Sequence, residues 1–99
     1  SPEDLIVAAV ADCFVLSFRA VATASKVEWT DLKCEVVGTL DRVERDIKFT
    51  EMKISAVLTV PAGADEARVQ RTLEKAEKMC FITNSLSSEV HLESTIVTG

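Results

Sequence analysis

Between Leu5 and Ala24 the chain is apolar on almost every helical face, with Leu5, Ile6, Val7, Val10, Phe14, Val15, Leu16, Phe18 and Val21 leaving no broad polar stripe. The residues ahead of this run, Ser1-Pro2-Glu3-Asp4, supply a helix start: a Ser N-cap, Pro at the first helical position, and acids that favour the positive end of the helix dipole. One helix from these residues to about Ser25 is therefore expected. A helix apolar all round is buried by a sheet or a partner chain, which makes this the central helix.

From Asp31 the hydrophobic period drops to two. Leu32, Cys34, Val36 and Leu40 alternate with Lys33, Glu35 and Thr39, as in a half-buried strand. A second strand places Met52, Ile54, Ala56, Leu58 and Val60 on one face, and the charged stretch Asp41 to Asp46 is expected to connect the two as a hairpin. Pro61-Ala62-Gly63 stops the second strand. A helical period returns from about Asp65, where Val69, Leu73, Ala76 and Cys80 form a core stripe and Arg68, Arg71, Glu74 and Lys78 face water. Cys80 to Leu86 reads as a kink into a short further helix, and Val90, Leu92 and Ile96 mark a last strand.

The resulting expectation is an α+β fold: a long buried central helix, a small antiparallel sheet, a second helix and a short helix, in a single domain over residues 1–99. Three strands are too few to cover so apolar a helix, so further strands or a partner subunit are expected to complete it. Asp12 and Arg19 inside the long helix, and acids rather than bases ahead of it, argue against a membrane span or signal peptide. The formal charge of −5 opposes nucleic-acid binding.

Candidate chemistry narrows to thiols. Cys13, Cys34 and Cys80 are odd in number and contain no C-x-x-C pair, which disfavours a disulfide-stapled secreted scaffold and suits a cytoplasmic setting. Cys34 belongs to a strand's apolar face and reads as core packing. Cys13 lies mid-helix, whereas Cys80 lies at a helix junction where backbone N–H groups could stabilise a thiolate. Periodicity alone does not bring these two together. The three cysteines and His91 lack the close ligand pairs of a structural zinc site, and His91, between Val90 and Leu92, reads as a solvent-facing strand residue.

The block Pro2-Glu3-Asp4-Leu5 with Ala8-Ala9-Val10-Ala11-Asp12-Cys13-Phe14, followed by Glu74-Lys75-Ala76-Glu77-Lys78-Met79-Cys80-Phe81-Ile82-Thr83-Asn84-Ser85-Leu86, resembles the OsmC/Ohr family of osmotically inducible and organic-hydroperoxide-resistance proteins. The resemblance runs over nearly the whole chain, and implies that it forms the C-terminal two-thirds of a full family domain. Members are bacterial, intertwined homodimers that reduce hydroperoxides with two cysteines and no bound cofactor. The resemblance implies that Cys13 is the peroxidatic thiol, that Cys80 resolves it, and that Glu3 positions an activating Arg carried by an N-terminal strand ahead of Ser1. Phe81 stands where many relatives have Pro.

The activity so implied is reduction of an organic hydroperoxide to an alcohol through a sulfenic acid and then a Cys13–Cys80 disulfide, reset by an external dithiol of lipoyl type. Because burial raises a thiol pKa, a cation near Cys13 is expected to offset it. Two alternatives stand beside this one. A non-catalytic member of the fold would bind a small apolar ligand at the dimer cleft, and an unrelated interaction domain would carry incidental cysteines.

Overall fold

The computed structural model describes residues 1–99. Its elements follow the chain in the order α1 (Pro2–Ala24), β1 (Asp31–Val43), β2 (Asp46–Val60), α2 (Glu66–Lys78), α3 (Phe81–Asn84) and β3 (Glu89–Thr98). The start of α1 is capped as its sequence requires: the Ser1 hydroxyl accepts the Asp4 N–H at 3.3 Å, and Pro2 opens the first turn. Asp65 caps α2 in the same way, accepting the Arg68 N–H at 3.2 Å.

The sheet is mixed rather than wholly antiparallel. Its order is β1-β2-β3, with β1 antiparallel and β3 parallel to β2. The correction follows from the connections. A two-residue turn, Glu44-Arg45, can only reverse the chain, whereas the stretch through α2 and α3 is long enough to carry it back to start β3 alongside β2 in the same direction. The hairpin connection is also shorter than expected. Ladder pairing continues through Asp41↔Lys48 to Val43↔Asp46, and Glu44 takes a positive φ of 58° to close the turn.

Strand parity sets the core. Met52, Ile54, Ala56, Leu58 and Val60 turn inward from β2 and pack with Val10, Phe14, Phe18 and Ala22 of α1 and with Val69, Leu73 and Ala76 of α2. Burying each large side chain of this group contributes about 1.5–3 kcal/mol. Phe18 meets Trp29 edge to face, with ring centroids 5.4 Å apart. Gly38 lets α1 lie close to the sheet: a Cβ there would come within 2.8 Å of Val7 and 2.9 Å of Phe49. A bulge lies next to this position, where the register passes from Thr39↔Glu51 to Leu40↔Phe49 and leaves Thr50 unpaired. Phe49 thereby joins the inner face with Met52 despite its odd spacing from it.

Within one chain α1 is covered on one side only. Its buried residues are Val10, Phe14, Phe18, Val21 and Ala22, while Leu5 and Leu16 are 71% and 53% exposed. The expectation of a helix buried all round therefore does not hold for the single protomer. By length and composition α1 could cross a membrane; its packing with β2 and α2 places Val10, Phe14, Phe18 and Ala22 in this domain's core.

Candidate functional site

Cys80 ends up beside Cys13 because of how α2 stops. The helix closes at Met79, Cys80 takes an extended conformation (φ −66°, ψ 111°), and α3 begins at Phe81. The junction is fastened from several directions. Asn84 donates from its side-chain nitrogen to the Lys78 carbonyl at 3.0 Å, and its backbone N–H donates to the Cys80 carbonyl at 3.0 Å. The Thr83 hydroxyl donates to the Cys80 carbonyl at 3.2 Å. The first N–H groups of a helix have no acceptor within it. At the start of α3 these groups, on Phe81 and Ile82, are close enough to the Cys13 sulfur to lower its thiol.

Cys13 and Cys80 differ in exposure and in charge preference. Cys13 is partly exposed, whereas Cys80 is fully buried and both thiols are free. Burial by itself pushes the Cys13 thiol up. Hydrogen bonds from the Ile82 N–H, the Cys80 thiol, the Phe81 N–H and the Ser17 hydroxyl outweigh it, leaving Cys13 below the ordinary thiol range. The Ser17 oxygen is 4.0 Å from the sulfur, one helical turn on. Cys80 is held above that range, mainly by burial, and further by donating to Cys13 and lying close to its charge; hydrogen bonds from Thr83 offset only part of this. The two thiols are thus pushed apart, Cys13 below the ordinary thiol range and Cys80 above it.

An open, mostly apolar groove of about 380 Å³ leads to Cys13, lined by Ala9, Asp12, Leu16, Ser17 and Ala20 of α1 and by Met79, Phe81 and Ile82. It presents an apolar molecule to a single nucleophilic sulfur. No Lys or Arg lines it. The cation expected from the sequence does not come from this protomer's groove, and the groups that lower Cys13 here are backbone and side-chain donors. Arg19 is exposed and does not contribute.

Glu3 lies elsewhere. It lines a separate groove of about 320 Å³ with Pro2, Ile6, Leu40, Phe49 and Leu86, so one protomer does not bring Glu3 to Cys13. Asp12 is exposed at the rim of the Cys13 groove. Cys34 packs half-buried against the core from β1, where burial raises its thiol. The residues that sequence reasoning missed are Phe81 and Ile82, which act through backbone N–H groups, and Ser17. Only the Cys80 junction, with its free helix-start amides, hinted at the first two.

The family model described as OsmC-like protein matches residues 1–95. An uncharacterized protein of Bacillus subtilis, YmaD, is 30% identical over 98 residues, covering 94% of this chain and 64% of the relative. Peroxiredoxin OsmC of Escherichia coli is 26% identical over 93 residues, again covering 94% and 64%. The chain thus spans somewhat under two-thirds of the length of these relatives. Among solved structures, an OsmC-like protein from Mycoplasma pneumoniae superposes with a TM-score of 0.85 at 16% identity, covering 98% of this chain and 72% of that one. The organic hydroperoxide resistance protein OhrB of Bacillus subtilis gives 0.70 at 25% identity, covering 96% and 70%.

Proposed function

The chain belongs to the OsmC-like protein family, and from that premise we propose that it is a thiol peroxidase that reduces organic hydroperoxides. The observation that carries this reading is the unequal pair: a Cys13 thiol lowered by the Ile82 N–H, the Cys80 thiol and the Phe81 N–H, beside an apolar groove. The Cys13 thiolate attacks one oxygen of the O–O bond. That bond breaks, the alkoxide leaves and takes a proton to become the alcohol, and Cys13 becomes a sulfenic acid. The Cys80 thiol then displaces hydroxide from that sulfur, releasing water and closing a Cys13–Cys80 disulfide. An external dithiol reduces the disulfide by two exchanges and leaves as its own disulfide. A lipoyl-type dithiol suits this role, and no bound cofactor is required.

Two parts of the reading depend on a second copy of the chain. Leu5, Leu16 and Phe81 expose 71%, 53% and 75% of their surface along the open side of α1 and the mouth of the groove, and contiguous apolar surface of this kind marks an interaction face. A homodimer across it would cover α1. It would also allow Glu3 of the partner subunit to approach the Cys13 groove, where it would position a cation as the family resemblance implies. Free thiols suit a cytoplasmic protein.

Steady-state consumption of cumene hydroperoxide with dihydrolipoamide as reductant tests the proposal. Turnover that is faster than with hydrogen peroxide and vanishes in Cys13→Ser supports it. Saturable binding of the hydroperoxide without its consumption would instead favour a ligand-binding member of the fold.

A further inference from the structure

The outer face of the sheet, turned away from α1, carries a second group of chemically capable side chains. Met52 and Val90 turn toward the core, so their neighbours Glu51 on β2 and Glu89 and His91 on β3 turn outward. The parallel register sets Glu51 beside Glu89 and Lys53 beside His91. Like charges at neighbouring positions on one face of a sheet repel, so this pairing calls for a cation. Lys53 is already engaged by Glu93 at 3.3 Å, and the β1 residue paired with Glu51 is the uncharged Thr39. The imidazole of His91 is what remains, and it turns toward both carboxylates.

Its geometry also suits a metal. His91 Nε2 lies 3.7 Å from Glu51 Oε2 and 3.5 Å from Glu89 Oε2, and the three ligand atoms lie within 4.8 Å of one another. A tetrahedral zinc with bonds of about 2.0–2.2 Å separates its ligand atoms by about 3.4 Å. Small rotations of the half-buried Glu51 and the exposed Glu89 and His91 side chains would bring the donors to that spacing, while the strand ladder fixes their Cα positions. Imidazole with two carboxylates suits a first-row ion such as zinc, whereas magnesium and calcium prefer oxygen alone.

We propose that Glu51, Glu89 and His91 form a surface site for a zinc-type divalent cation, with water in the fourth position. Bound there, the ion offsets the Glu51–Glu89 repulsion and clips β3 to β2, the one pairing in the sheet not supported by a hairpin turn. The site lies on the opposite face from the Cys13 groove and does not depend on the peroxidase reading.

Equilibrium dialysis of the chelator-stripped, reduced protein against zinc chloride tests it. The Cys13 and Cys80 thiols, on the opposite face, offer zinc a competing site, so cobalt(II) serves as a second probe because thiolate ligation gives a sulfur-to-cobalt charge-transfer band. The expected result is a His91-dependent equivalent of metal that adds no such band and raises the thermal midpoint. His91→Ala, at an exposed position, and Glu51→Gln, at a half-buried one, should each weaken this equivalent by at least about tenfold. Metal uptake unchanged in His91→Ala, cobalt bound wholly with sulfur charge transfer, or no saturable uptake below millimolar zinc would each overturn the proposal.

Discussion

Cys13 on α1 and Cys34 on β1 are both partly buried thiols in apolar surroundings, yet they are pushed in opposite directions. Burial acts alone on Cys34 and raises it. At Cys13 the same effect is overcome by donors from α3, Cys80 and Ser17. Apolar packing therefore makes a thiol inert by default, and reactivity comes from N–H, S–H and O–H groups aimed at the sulfur. The donors near Cys13 exist because α2 breaks at Cys80 and a new helix starts one residue later. Cys34 lies within the continuous β1–β2 ladder, away from any helix start, and burial alone acts on it.

Substitutions can break this contrast in order of severity. Cys13→Ser should lower hydroperoxide turnover by on the order of 10³-fold or more while leaving the far-UV spectrum unchanged. Cys80→Ser removes both a donor and the resolving thiol. It should consume about one equivalent of hydroperoxide and then stall as a Cys13 sulfenic acid, which a dimedone-type trap detects by mass. Gly38→Val attacks the shared support rather than either thiol. The clash with Val7 and Phe49 should cost about 2 kcal/mol, read as a lower urea midpoint.

The contrast is sharpened by pH. Because Cys13 is lowered while Cys34 and Cys80 are raised, its thiolate persists to lower pH than theirs. Residue-resolved alkylation by iodoacetamide should show Cys13 reacting with a midpoint below the ordinary thiol range, and the other two only above it. The smallest effect is expected for Cys34→Ala: a stability change of about 1 kcal/mol or less, with turnover unaltered.

The sequence carries much of this fold in its periodicity and caps. Ser1 and Asp65 mark both long helices, and the inward parity of Met52 to Val60 and the stripe Val69-Leu73-Ala76-Cys80 are buried as their spacing requires. The direction of β3 is not legible in this way, because an alternating strand reads the same whether it runs up or down. Nor does periodicity reveal the bulge at Thr50, which moves Phe49 to the inner face, or the open side of α1, which depends on what else packs there. At the groove, Cys13 and Cys80 stand out as residue types, and the family resemblance singles them out. Their proximity, however, is made by the kink at Cys80, and two of the groups acting on Cys13 are backbone amides that no side-chain motif displays. The same holds on the outer face. His91 is solvent-facing as its alternation requires, but Glu51 joins it only through the parallel register of β2 and β3.

The central claim is that Cys13 and Cys80 are one redox pair and Cys34 stands apart from it. Peptide mapping by mass after one equivalent of cumene hydroperoxide, with the remaining thiols alkylated at quench, tests it most directly. The account predicts a Cys13–Cys80 disulfide with Cys34 recovered as an alkylated thiol. Recovery of Cys13 as an unreacted thiol, or a disulfide that includes Cys34, would contradict it.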